Sequence, residues 1–167
     1  MIEINKNSRL CQIHYYDIDK FDVGIIIRNT RDEIQFISID KLGKYDGIFV
    51  VDKCEVSHIV KKSKYLDFIK KIIEHVTINE MDFKSKFDII QYSLLNNRII
   101  EISSSYSYID QVRYVKVISF DGNSVKYQNY YNMAFLSKSI YKINLYNISA
   151  VNFDSIRCRF YEKYRVK

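Results

Sequence analysis

The chain has 167 residues, of which 47% are apolar and 28% charged, with a formal net charge of +6. That size and balance allow a core to be buried without disulfides or metals, and they exclude a disordered chain. The longest apolar runs, such as Ile25 to Ile27 and Ile48 to Val51, fall far short of the roughly 20 residues that a bilayer-spanning helix needs.

The N-terminus, Met1-Ile2-Glu3-Ile4-Asn5-Lys6, has no apolar signal-peptide core, which points to the cytoplasm. From there the first half reads mainly as strand. Leu10 to Tyr16, Val23 to Arg28, Glu33 to Ile39 and Ile48 to Val60 are rich in β-branched and aromatic residues. Asn29-Thr30-Arg31-Asp32 and Leu42-Gly43-Lys44-Tyr45-Asp46-Gly47 between them carry turn chemistry. Ser63 is placed to cap a helix in which Tyr65, Leu66, Phe68, Ile69, Ile72 and Ile73 recur at helical spacing as far as His75. A second helix is predicted from Asp82 to Asn97, with Phe83, Phe87, Ile90 and Leu94 as its apolar stripe and Asn96-Asn97 at its end. Strands resume at Ile99 to Ser104, Val112 to Ser119, Ser124 to Tyr130 and Ile140 to Phe153, with Asp121-Gly122 as a hairpin turn. A basic segment from Ser155 to Lys167 closes the chain and is predicted to be a helix.

This order of elements suggests an internal duplication. A shift of 92 residues sets Tyr16 on Tyr108, Val23 on Val115, Ile26 on Ile118, Ser57 on Ser149, Ser63 on Ser155 and Phe68 on Phe160. The last strand of each half is long enough to need a bend and to count as two. The expected fold is therefore mainly β (α+β), as two tandem Sm-like or SH3-like small barrels with connecting and C-terminal helices. The units divide at residues 1–79 (barrel plus helix) and 80–167 (leading helix, barrel and basic C-terminal helix). Two barrels in tandem need no second copy of the chain, so a monomer is expected.

Isoleucine, lysine, asparagine and tyrosine abound, whereas proline and tryptophan are absent. The abundant types have AT-rich codons, which suggests a low-GC bacterium or a mobile element within one. The segment Ile89-Ile90-Gln91-Tyr92, then Asn96-Asn97-Arg98-Ile99-Ile100-Glu101-Ile102, Val125-Lys126-Tyr127-Gln128 and Ile143 to Ser149, resembles small tandem β-barrel proteins of low-GC Gram-positive bacteria. Gly43-Lys44-Tyr45-Asp46-Gly47 and Ser63-Lys64-Tyr65-Leu66 fit the same pattern. The second half departs from it, with Lys138-Ser139 where the first has Asp46-Gly47. The resemblance implies tandem barrels without an assigned activity and supplies no functional residues.

Catalytic signals are weak. Cys11, Cys54 and Cys158 are widely spaced, with no C-x-x-C, and read as small hydrophobes rather than a disulfide framework or zinc site. His14 lies near Asp17, Asp19 and Asp22, a combination that could hold a divalent metal or form an acid–base pair, but a polar turn is the simpler reading. Strand alternation sets Cys54 and His58 on one face, yet about 13 Å apart, too far for a nucleophile pair. His75 closes a helix and is given no chemistry. No phosphate-cradling glycine loop, G-x-S-x-G or H-E-x-x-H occurs. No cofactor, metal or catalytic residue is assigned, and the chain is read as a non-enzyme.

The charge distribution is more telling. Lys61, Lys62, Lys64, Lys70 and Lys71 stand against Asp67 alone, and Arg157, Arg159, Lys163, Arg165 and Lys167 against Glu162 alone. These segments occupy equivalent places in the two halves and could attract polyanions or an acidic partner. Tyr15, Tyr16 and Tyr108, with Tyr106, Tyr130 and Tyr131, are candidates for stacking or partner contact. The expected function is non-catalytic binding of a protein partner, in an immunity, antitoxin-like or phage-conflict role. The alternative is RNA binding by an Sm-like module through basic helices at 61–71 and 157–167. No membrane span is expected.

Overall fold

A computed structural model describes residues 1–16, 19–78, 82–104, 112–131 and 135–165. The chain divides into two compact units, Met1–Asp82 and Phe83–Lys167.

Unit 1 contains β1 (Ile2–Ile4), β2 (Cys11–Tyr15), β3 (Phe21–Asn29), β4 (Glu33–Ile39), β5 (Tyr45–Asp52), β6 (Val56–Val60), α1 (Lys64–Ile72) and β7 (Val76–Ile78). Five strands form an antiparallel sheet in the order β6-β2-β3-β4-β5, and β1 pairs separately with β7. The single run predicted over Ile48 to Val60 is interrupted by a 3₁₀ turn, Lys53–Glu55. Its two halves pair with different strands, β5 with β4 and β6 with β2.

Helix α1 starts where predicted, because the Ser63 side chain accepts a hydrogen bond from Leu66 N at 3.1 Å. It ends earlier, at Ile72, and buries Leu66 and Ile69 against Ile4, Leu10, Val23, Ile37 and Ile39. Phe68, although at helical spacing, remains 52% exposed. Gly24 is required where β3 passes over β4, since a Cβ there would lie 2.4 Å from the Ile37 carbonyl oxygen.

Unit 2 contains α2 (Lys86–Leu95), β8 (Ile99–Ser103), β9 (Arg113–Phe120), β10 (Ser124–Tyr131), β11 (Phe135–Leu136), β12 (Tyr141–Asn144), β13 (Ala150–Phe153) and α3 (Ile156–Tyr164). The order β13-β8-β9-β10-β12 is antiparallel throughout, and β11 also pairs with β10. A 3₁₀ turn, Leu145–Asn147, separates β12 from β13.

Unit 2 therefore repeats the strand order of unit 1. The two 3₁₀ turns, and likewise α1 and α3, coincide residue for residue at the shift of 92. Both helices carry a capping serine, with Ser155 Oγ accepting from Cys158 N at 3.1 Å.

Two expectations are corrected. Neither sheet closes into a barrel: among the described residues no ladder joins β5 to β6 or β12 to β13. The 3₁₀ turns redirect the backbone there and satisfy it locally, as in Val56 N to Lys53 O. In α2 the buried face is Lys86, Ile89, Ile90 and Ser93, while Phe87 is 38% exposed and Phe83 is buried ahead of the helix. Lys86 can occupy this face because its Nζ donates to the Ile148 carbonyl at 2.6 Å. Among the described residues, no helix is long and apolar enough to cross a membrane.

Candidate binding cleft

Unit 1 holds an open cleft of about 950 Å³ lined from β1, the turn that follows it, the start of β2, β3, the end of β6 with Lys61, and α1. Its apolar surface comes from Ile2, Leu10, Ile25, Ile26 and Ile59. The turn is locally built: Ser8 N donates to Asn5 O at 3.0 Å, Asn5 N to Ser8 Oγ at 3.0 Å, and Asn7 N to Asn5 Oδ1 at 2.9 Å. Three cations, Arg9, Lys61 and Lys70, line the same cleft against one carboxylate, Glu3. Nothing in the sequence singles out Arg9, because a lone arginine beside a polar turn carries no signal.

Cys11 also lines the cleft. Its thiol donates to the Gly24 carbonyl at 3.3 Å, and burial pushes its pKa up. It is a poor nucleophile for that reason. Cys158 is buried and likewise shifted up by burial, whereas Cys54 is exposed.

The two basic segments differ in what their charges do. Lys61, Lys62, Lys64 and Lys71 are exposed and Lys70 is half-buried. Among the described residues none of the five has an ion pair or side-chain hydrogen bond. In the second segment the charges serve unit 2 itself. Arg157 Nη1 donates to Tyr114 Oη at 3.3 Å and lies over that ring. Arg159 binds the Asp154 carbonyl and, at 3.3 Å, its carboxylate. Arg165 Nη1 donates to Asn97 O at 3.3 Å, and Lys163 lies 5.2 Å from the Tyr164 ring centre. The equivalence of the two basic segments in sequence therefore does not extend to their interactions. Lys167 lies outside the described residues.

The tyrosines also divide. Tyr15 is buried and donates to Asp22 Oδ2 at 2.5 Å, and Tyr130 is buried, so neither offers a stacking face. Tyr16 and Tyr131 are exposed, whereas Tyr106 and Tyr108 lie outside the described residues. Alternation along β10 sets Tyr127 and Tyr131 on one face. Tyr127 stacks on Tyr141 of β12, with ring centres 5.8 Å apart, and the Tyr131 and Tyr141 hydroxyls lie 3.4 Å apart.

His14 and His58 pair across β2 and β6 with stacked rings, 4.3 Å between centres and 10° between planes. Burial, with the neighbouring His58 as a smaller cause, lowers the His14 pKa. Cys54 sits on the 3₁₀ turn rather than in a strand with His58, so strand alternation does not relate the two. Asp17 lies outside the described residues, and among those described no three His, Cys, Asp or Glu side chains converge as a metal site would need.

Comparison of the chain with family models, curated proteins and solved structures finds no match.

Proposed function

We propose that this is a non-catalytic binding protein that takes a segment of a protein partner into the unit 1 cleft. One observation carries the reading: Arg9, Lys61 and Lys70, none with an ion pair among the described residues, stand with one carboxylate, Glu3, around an aliphatic surface in one cleft of about 950 Å³. An apolar recess with a few charged groups at its edge suits a peptide segment that brings both apolar and acidic side chains. A nucleic-acid base has less to gain there, since among the described residues no aromatic side chain lines the cleft for it to stack on. The buried, hydrogen-bonded Cys11 supports binding over covalent chemistry.

The scaffold belongs, on this proposal, to the Sm-like or SH3-like class of small β folds, in tandem. Support comes from the shared strand order, in which the last strand pairs with the first, and from the 3₁₀ turn before that last strand. A cleft-bearing unit that covers a partner fits an immunity or antitoxin-like role in the cytoplasm.

A photo-crosslinking side chain at Asn7, which is exposed and lines the cleft, tests the reading in extract of the producing cells. A protein adduct that disappears in the Lys61→Glu/Lys70→Glu variant is expected. An adduct with RNA, or a protein adduct indifferent to the charge reversal, would overturn it.

A further inference from the structure

The second unit shows what the first one lacks. Across the β2–β6 ladder Gln12 faces Val60, and across β8–β13 Glu101 faces Asn152, which is Val60 shifted by 92. Strands β2 and β8 therefore match at a shift of 89 rather than 92, and Arg9 and Arg98, three residues earlier in each case, take the same place on this ladder. Each precedes a buried residue, Leu10 or Ile99, that shares a core with the following helix through Leu66 or Cys158.

In unit 2 this arginine is engaged by three groups. Arg98 Nε donates to Glu162 Oε1 at 2.7 Å, its Nη2 to Asp154 Oδ1 at 3.2 Å, and its guanidinium lies 4.9 Å from the centre of the Phe153 ring. At the shift of 92 these three partners correspond to Lys70, Lys62 and Lys61. Each group that satisfies Arg98 is replaced in unit 1 by a lysine, and Lys61 and Lys70 line the cleft together with Arg9. Like charges gathered at one place repel and favour an external anion.

We infer that the unit 1 cleft binds a carboxylate side chain of an acidic, aliphatic protein segment, which takes between Arg9, Lys61 and Lys70 the place that Glu162 takes in unit 2. This rests on the reading of the cleft as a partner site and adds the chemistry of the partner. The bound group must be held by side chains, because the backbone amide of Leu10 is already bonded to Ser8 O at 2.9 Å, whereas Ile99 N donates to Glu162 Oε1 at 2.9 Å. The aliphatic surface selects a carboxylate on a methylene stem beside apolar neighbours over a phosphate joined to a base.

The test is a titration of the full chain with a short blocked peptide alternating glutamate and isoleucine, followed through the amide resonances of Leu10, Cys11, Ile25 and Ile26. Parallel titrations use the glutamine analogue and a uridine oligonucleotide. At about 50 mM salt the glutamate peptide is expected to shift these resonances and to bind roughly tenfold or more tightly than the glutamine analogue. Lys70→Gln should weaken that binding. Lys70→Glu should abolish it and raise the melting temperature, since it restores an internal partner for Arg9. No shift with the glutamate peptide, equal binding of the two peptides, or the same shifts with the oligonucleotide would overturn the inference. An Asn7 protein adduct that persists in any of those cases would leave the partner-binding reading standing and remove only the acidic segment.

Discussion

Asp121 shows how much one side chain can organise. Its carboxylate accepts from Ser124 Oγ at 2.7 Å, Asn123 N at 2.9 Å and Ser124 N at 2.6 Å, and so closes the β9–β10 hairpin. These hydrogen bonds, the Ser124 hydroxyl first among them, hold its pKa down at about 2. The unfolded value is about 4, so the bonds favour the folded hairpin fully above that pH. Their contribution is lost as pH falls from about 4 towards 2. A titration of the Ser124 amide shift is expected to have its midpoint near the lower figure, with none in Asp121→Asn; a midpoint near 4 would refute the assignment. The turn was legible, because Asp-Gly tolerates the positive φ that Gly122 adopts. The fate of Arg98 and of Arg159 was not, since an arginine's partners are chosen by the tertiary fold.

At the scale of elements, α1 and α3 are the clearest case of local chemistry deciding structure. Ser63 and Ser155 each bond the amide three residues on, and each helix begins one residue after its cap. Ser63→Ala and Ser155→Ala should each cost about 1 kcal/mol in urea unfolding; a change within error for both would show the helices to be held by packing alone. The strands were harder to read. Asp52-Lys53-Cys54-Glu55 has no glycine or proline to announce a break, and the break arises because β5 and β6 pair with different strands. Among the described residues the short β1 and β7 pair with each other alone, so nothing local marks them as strands.

For the whole molecule the question is where the net charge of +6 acts. The described cations of the second basic segment are engaged within unit 2, by hydrogen bonds or against a tyrosine ring, while Lys61, Lys62, Lys70 and Lys71 have no such partners among the described residues. Association with RNA should accordingly be weak and electrostatic. Binding seen at about 50 mM salt should be lost by about 200 mM. It should also be lost on replacing Lys61, Lys62, Lys70 and Lys71 by glutamate, but largely retained when Arg157 and Arg159 become glutamine. RNA binding that survives at the higher salt would favour the nucleic-acid alternative over a protein partner.

The sequence by itself determined the mainly β class, the starts of α1 and α3 and the parallel placing of two sets of elements, because alternation, capping serines and turn residues act within a few positions of the chain; α2 starts at Lys86 rather than Asp82. It also marked Lys61 and Lys70 as unusual by their clustering. Only the tertiary structure decided that the sheets stay open, that Tyr15 and Tyr130 are buried, and that Arg9 joins those lysines in one cleft. Ring closure, burial and the pairing of charges depend on residues far apart in the chain. Arg98 is thus paired with Glu162 and Asp154 in unit 2, whereas Arg9 lines a cleft with Lys61 and Lys70 in unit 1.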